Sequence, residues 1–363
     1  MPRRRRRRPL TQPPKVSARR RIGRVAVVVV AVICVVIGGF LAIETTLEYR
    51  PRDSERLTVE RAEAGSEIRQ LAPGDALTLL TFNVGYAGLG KDQDFYAHGG
   101  KMVNPPGEAV EANLAGILAT LTDHPADAVL LQEVDTRSRR SGGVDQSARV
   151  REVAPAMASV FATNLRSFFA PFPVPPIGRL GSGLQTLSVF KPSQATRVAL
   201  PGRFGWPARL FHHKRCLVVE RTPVGVGREL VLINLQLDPT SDDGARMVQL
   251  GELKEVAAKE YSAGNYVIIG GDFGEDFPGV SAVQDWVPGT WEVGKVPTGW
   301  TMATGQGPTA RLTDKPWDGS NEVSSPDGFI ASPNVTLTDV RVVDLGFEHS
   351  HHNPVMASAT LMP

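Results

Sequence analysis

Apolar and polar positions along this chain change rhythm repeatedly, and the changes mark its elements. Short apolar or alternating runs at 77–84, 128–134, 184–190, 216–220, 230–237, 266–270, 328–331 and 335–343 are bounded by Gly, Pro, Asp or Asn. Such runs predict β-strands. Between them the spacing shifts to three and four. Val110, Leu114, Ile117, Leu118 and Leu121 form one stripe, and Met247, Leu250, Leu253, Ala257 and Tyr261 another. Both predict amphipathic helices whose apolar faces belong to a core rather than to a cofactor. Strands alternating with helices from 77 to 363 imply one large α/β domain. The Pro- and Gly-rich stretches 171–183 and 287–306 read as surface loops, where substrate selectivity commonly resides.

The longest apolar run lies at the front. Residues 25–43 carry no charge, and the 24 residues before them hold 11 Lys/Arg and no acid. As a helix this run is about 28 Å long, enough to cross a bilayer core. A basic flank stays cytoplasmic, so the rest of the chain is expected outside, as a single-pass protein of the cell membrane. The competing reading is a cleaved signal peptide, but its apolar region is about 7–15 residues and ends in a small-x-small site; 38–44 offers none. The expected organisation is therefore a basic cytoplasmic tail (1–24), a transmembrane helix (25–43), a charged stalk (44–76) and the domain (77–363). As a coil, the stalk would reach roughly 30 Å.

Charge changes sign once the tail is set aside. The whole chain is +2, but without those 11 cations 29 Lys/Arg face 38 Asp/Glu, about −9. An acidic body disfavours nucleic acid, whose binding rests on phosphate neutralisation. The arginine tail is expected to face anionic lipids of the inner leaflet. Cys34 lies in the apolar run, leaving Cys216 alone in the domain. No internal disulfide is expected.

Five short motifs carry candidate chemistry: TFNVG at 81–85, LLQEVD at 130–135, GGDF at 270–273, SPDGF at 325–329 and SHHNPV at 350–355. Most place a carboxylate, amide or imidazole at the end of an apolar run, where a strand holds it rigidly. Phosphoester hydrolysis needs a cation on the phosphate oxygens, a positioned water and a proton for the leaving group. Asn83 and Glu133 suit magnesium, which prefers a few oxygen ligands and retained waters. Asp272 is expected to orient and deprotonate the water, His352 to supply a proton or stabilise phosphate charge, and Asp327 to fix the His352 tautomer. Taken singly, a strand-end Asp or Asn caps a turn and a lone His is structural; the five in this order point to one site. Gly85-x4-Gly90-Lys91 approaches a phosphate-binding loop, but Asp92 stands where Ser or Thr would bind the metal. Lys91 and Lys101 are instead expected near a substrate phosphate. His212–His213 beside Lys214–Arg215 offer an anion-binding patch or a solvated strand edge.

The order TFNVG, LQEV, GSGLQTLSVF, INLQL, GGDF, PDGF, SHHNPV resembles the endonuclease/exonuclease/phosphatase superfamily over 77–363. GYAGLGKDQDFYAHGGK at 85–101 and HKRCLVV at 213–219 look like a bacterial membrane-anchored branch of it. The resemblance implies a four-layer α/β sandwich with two central β-sheets flanked by helices. It also implies phosphoester hydrolysis with Mg2+ or Mn2+, with Zn2+ ranked below them. Asn234 and Gln236 fall where the family binds substrate, Gln236 standing in place of a histidine. Gly274 replaces an asparagine, and His351 an aspartate that helps bind metal, a change suited to a softer ion. The expected function is a membrane-anchored extracytoplasmic phosphodiesterase or phosphatase acting on a small or lipid-linked phosphoester. Its alternatives are a phospho-ligand-binding protein without turnover and a nuclease of the same fold.

Overall fold

The computed structural model describes residues 18–363 apart from 64, 67, 203, 240–242, 278–296 and 298. Trp286, Trp291, most of the loop expected at 287–306 and the tail before residue 18 lie outside the described residues. The chain divides into a unit ending at Leu47 and a larger one, Glu48–Pro363. The first contains α1 (Ala18–Thr46). Within it, Arg21–Thr46 is long and apolar enough to cross a membrane by length and composition, a test that a signal sequence near the N-terminus also passes.

In the larger unit the elements run β1 (Ser54–Arg56), β2 (Val59–Glu60), β3 (Ala76–Asn83), α2 (Gly107–Asp123), β4 (Ala128–Asp135), α3 (Gln146–Val153), β5 (Ala158–Ala170), β6 (Gly178–Ser188), β7 (Gln194–Ala199), β8 (Cys216–Val224), β9 (Arg228–Gln236), α4 (Asp243–Ser262), β10 (Tyr266–Asp272), β11 (Thr301–Ala303), β12 (Ala310–Arg311), β13 (Val323–Ser324), β14 (Asp327–Ala331), β15 (Val335–Val342) and β16 (Val355–Leu361). Two seven-stranded mixed sheets result, ordered β1-β7-β8-β9-β10-β14-β11 and β15-β16-β3-β4-β6-β5-β2. Alternate side chains divide between two faces. Leu77, Leu79, Leu130, Leu230, Leu232, Ile268 and Phe329 meet between the sheets. Leu80, Phe82, Val129 and Leu131 instead pack under α2 through Val110, Leu114 and Ile117. On the opposite outer face, Val231, Ile233, Val267 and Ile269 pack under α4 through Leu250, Leu253 and Ala257. Helices therefore cover both outer faces of an α/β sandwich. The second expected stripe is shorter than its sequence spacing, since Met247 and Tyr261 are exposed.

From Glu48 onward, the segment expected as a stalk is part of this unit. β1 pairs with β7 at one sheet's edge and β2 with β5 at the other's. Leu71 is buried in the inter-sheet core. Its sequence hides this because an edge strand needs backbone partners, not an apolar face. The coil reach of roughly 30 Å for 44–76 does not apply.

Among the named strands of the described residues, β3–β4 and β9–β10 are the parallel pairs, each joined through a helix, α2 or α4. The carboxyl ends of all four strands thus lie at one edge. Antiparallel neighbours must begin there: Asp272 at the end of β10 aligns with Asp327 at the start of β14, and Val355 at the start of β16 aligns with Thr81 near the end of β3. Strand-end crevices of this kind are where open α/β sheets place ligands.

Candidate functional site

Glu133 reaches that edge through an irregular backbone. The β4–β6 register shifts between Leu131 and Val134, and Glu133 takes φ +55 inside the shift. A bulge re-aims a side chain, and a non-glycine residue at this φ costs of order 1 kcal/mol. Gln132 turns inward instead, donating to the Oδ1 of Asn234 at 2.9 Å. Asp272 arrives without strain of its own because Gly271 precedes it at φ +149; a Cβ there would stand 2.1 Å from the Leu235 carbonyl oxygen.

Two amides draw these carboxylates together. The Asn83 Nδ2 donates to Asp272 Oδ2 at 2.9 Å and to Glu133 Oε1 at 3.3 Å. The Gln236 Nε2 donates to Glu133 Oε1 at 2.6 Å and, at 3.5 Å, to Asp272 Oδ2. Asp272 Oδ1 accepts from the Gly274 backbone at 2.9 Å. At Gly274, where the resemblance implies an asparagine, it is therefore the main-chain amide that serves this carboxylate. Asn83 departs from the role assigned to it: its Oδ1 accepts from the Gly85 amide at 3.0 Å, which turns its NH2, not its carbonyl, toward the carboxylates.

Beside this group stands an imidazole–carboxylate pair. His352 Nδ1 lies 2.7 Å from Asp327 Oδ2, both residues being buried. Burial disfavours the His352 charge, but Asp327, Asp272 and Glu133 outweigh it and raise its pKa to about 9. Burial raises Asp327 to about 6 against the pull of His352. At neutral pH the pair is thus imidazolium and carboxylate. Ligand atoms of Asp272, Asp327 and His352 lie within 4.8 Å of one another, a grouping able to hold a divalent ion. Among the described residues these three are the grouped His and Asp side chains able to hold a metal, and Glu133 is tied to them through shared amide donors.

His351 stacks edge-on against His352 with centroids 4.3 Å apart. Its buried Nδ1 has no hydrogen-bond partner, and the ring fits because Gly85 has no side chain: a Cβ there would lie 2.8 Å from that nitrogen. Burial, with His352, His98 and Arg311, holds the His351 pKa well below the usual range. It is therefore neutral, with a lone pair available.

The other expected substrate contacts, Asn234, Lys91 and Lys101, have these surroundings. Asn234 is fully buried between the sheets, where its amide nitrogen donates to the Leu131 and Gln185 carbonyls; its polar atoms join the sheets instead of facing a ligand. Lys91 pairs with Glu348 at 2.6 Å. Lys101 is exposed, its backbone amide bonded to Asp94. Other residues lay outside the five motifs read for chemistry. His98 contacts Thr313 Oγ1 at 2.7 Å, and burial lowers its pKa although Glu133 opposes the shift. Arg140 makes a two-point pair with Asp135 and stacks 3.7 Å over the Tyr86 ring. An Arg five residues past a strand-end Asp is the only signal the sequence held for that pair.

The model of the Endonuclease/Exonuclease/phosphatase family matches residues 80–346. Among solved structures, the endonuclease/exonuclease/phosphatase from Beutenbergia cavernae DSM 12333 is 17% identical, with 79% of this chain and 72% of that one covered at a TM-score of 0.54. The Bacteroides vulgatus protein of that description is 15% identical over 79% of this chain and 99% of its own, also at 0.54. D. rerio TDP2 complexed with single strand DNA product is 14% identical over 79% and 99%, at 0.51. At these identities the likeness shows the fold. No curated protein matches the sequence.

The TDP2 structure overturns one expectation: a protein of this fold holds single-stranded DNA, so an acidic net charge is no ground for disfavouring nucleic acid. Charge summed over a surface says little about a cleft that a cation can complete. The expected lipid partners, a lipid head group as substrate and the inner leaflet at the arginine tail, find no support in the fold or the matches. Nor do the matches single out a membrane-anchored branch. By the family model, covering well over half its length, the chain belongs to the endonuclease/exonuclease/phosphatase family.

Proposed function

We propose that this protein is a divalent-metal-dependent phosphodiesterase of the nuclease class, acting on a nucleic-acid phosphodiester. One observation carries the reading: two carboxylates from different sheets, Glu133 and Asp272, are held together by amides beside the Asp327–His352 pair. Bringing such charges together is unfavourable unless a cation or substrate chemistry uses them. Asp272 belongs to both groupings, and the residues fit an oxygen-preferring ion such as Mg2+ or Mn2+ on its Glu133 side. When bound, that ion supplies positive charge to the phosphate oxygens.

The chain's own residues do the rest. Asp272 orients a water and accepts its proton, with Asn83 and Gly274 fixing its two oxygens. His352, held as imidazolium by Asp327, faces the charge that develops on phosphate or leaving group. Gln236 donates without titrating, so protonation of the leaving group falls on His352 alone. That substitution is what favours the second reading, a member that binds phosphoesters without turnover. The asymmetry of 11 basic residues and no acid before residue 25, together with α1, supports a single-pass anchor with the N-terminus cytoplasmic and the domain outside. A protease added to intact spheroplasts would then digest the domain.

Calorimetric titration of Mn2+ into the full chain in detergent, repeated in buffers of different ionisation enthalpy, tests the site. An ion on the Glu133–Asp272 side leaves the His352 proton in place, so near-zero proton release is expected and Glu133→Gln abolishes the signal. Release of about one proton per ion, unaffected by Glu133→Gln, would mean that the metal displaces the His352 proton, contrary to these roles.

A further inference from the structure

The acidic site has a basic neighbour that the proposed chemistry does not use. A cavity of about 370 Å³ is lined by Arg50, Arg197, Arg209, Lys214 and Arg215 against a single carboxylate, Glu48. Glu48 is already engaged, accepting from Arg50 at 2.8 Å, Arg209 at 3.1 Å and Lys214 at 3.1 Å. Arg197, only 1% exposed, donates through Nε to the Thr163 carbonyl and through Nη2 to the Lys214 carbonyl. Its Nη1 has no partner, and neither does the Nη1 of Arg215, which is 7% exposed. Glu55, aligned with Arg197 across the β1–β7 pairing, accepts from the Arg52 amide. Two of the five cations in the lining are thus buried guanidinium groups that each leave one N–H without a partner, and the lining holds one carboxylate against the five. A buried charge without its hydrogen bonds is costly, and an anion removes that cost. Guanidinium forks match phosphate oxygens two at a time.

The cavity's position gives the anion a purpose. Ala199 at the end of β7 aligns with Cys216 at the start of β8, and Leu217 aligns with Leu235 beside Gln236. Arg215 at the start of β8 therefore sits one strand, and Leu200 beyond β7 two strands, from Gln236 along the edge that also bears Asp272. With strands about 4.8 Å apart, the cavity lies roughly 5 to 10 Å from Gln236 and roughly 10 to 14 Å from Asp272. One phosphate ester cannot reach both places, whereas a short oligomer can.

We propose that this cavity is a second phosphate site, gripping the backbone of an extended phosphodiester one or more units from the bond cleaved at Asp272. This deepens the proposed nuclease reading and rests on it for the source of the phosphate; the cavity's affinity for phosphate itself does not depend on turnover.

Two measurements on the full chain in detergent separate these claims. Calorimetric titration with inorganic phosphate in EDTA should show saturable binding that Asp272→Asn preserves and Arg215→Gln weakens about tenfold or more, the scale of a charge-assisted hydrogen bond. Lys214→Gln, at a less buried position, is the companion variant should Arg215→Gln fail to fold. With Mn2+ restored, Arg215→Gln should raise KM for tetrathymidylate about tenfold while leaving kcat, and both constants for bis(p-nitrophenyl) phosphate, unchanged. Absence of phosphate binding in the wild type, or wild-type affinity in both variants, would overturn the site whatever the turnover. Phosphate binding lost in the variants with an equal loss on both esters would show a free-anion site without the backbone role. No hydrolysis at all, with the phosphate pattern intact, would sink the nuclease reading and leave the anion site standing.

Discussion

The units β3-α2-β4 and β9-α4-β10 do the same work by different means. Each ends its first strand on an amide, Asn83 or Gln236, and carries a carboxylate at or near the end of its second, Asp272 at the end of β10 and Glu133 two residues before the end of β4. In the C-terminal unit the carboxylate follows a regular register, made possible by Gly271. In the N-terminal unit it stands on a register shift at φ +55. One half obtains its geometry by leaving out a side chain, the other by holding a strained backbone. The strained half is therefore the one where function and stability should conflict.

Replacing the unstrained carboxylate should have the largest effect. Asp272→Asn keeps the shape but removes the base, and kcat should fall at least about 10²-fold with little change in thermal stability. His352→Gln should lower kcat similarly and also cost stability, because it leaves the buried Asp327 without its imidazolium. For Asp272→Asn, a fall shared equally by Tm would mean that the group is structural.

Gly271→Ala comes next and tests why that half needs no strain. A Cβ set against the Leu235 carbonyl should destabilise the fold by about 2 kcal/mol or more in denaturant titrations. A neutral outcome would show that β9 and β10 can separate.

Glu133→Gly tests the other half. Relief of the positive φ should leave the protein as stable as the wild type or up to about 1 kcal/mol more so, while divalent-ion binding disappears. Loss of stability would show that Glu133 is held for packing and not for the site.

A smaller effect concerns pH. Glu220, buried between the sheets, has Ser188 Oγ as its partner at 2.8 Å, and burial raises its pKa to about 7. Asp327 shares the burial but faces an imidazolium. A carboxylate whose folded pKa is raised favours folding when protonated, so the Glu220 contribution declines as pH rises from about 4.5 through 7. His352, raised from 6.5 to about 9, stabilises below 6.5 and loses that contribution as pH rises through 9. Unfolding free energy should thus fall from about pH 6.5 to pH 9, above the range in which His351, His98 and His213, held neutral by desolvation, oppose the decline. Glu220→Gln should flatten the lower part of the decline and His352→Gln the upper. A wild-type curve rising with pH across this window would contradict both assignments.

Much of this was legible in the sequence because strand ends announce themselves: an apolar run stopping on Asn83 or Asp272 gives both the element and its edge. The Gly270–Gly271 pair before Asp272 was equally visible, though not the close contact that requires it. The Glu133 bulge was hidden, since a shifted register leaves the apolar pattern of 128–134 intact. β5 escaped because its irregular pairing to β6 mixes Ser, Thr, Asn and Arg into the run. β1 and β2 escaped because edge pairing needs no hydrophobic signal. Asn234 misled because its motif position matched the family while its side chain faces the opposite sheet, a distinction of one residue in a period of two.

The most direct test of the central claim is turnover by the full chain in detergent. Single-stranded oligonucleotides and bis(p-nitrophenyl) phosphate would be offered with Mg2+ or Mn2+ beside the Asp272→Asn variant. The account predicts metal-dependent cleavage by the wild type that EDTA abolishes and Asp272→Asn lacks. Folded wild-type protein that cleaves no ester faster than Asp272→Asn, with either metal, would contradict it.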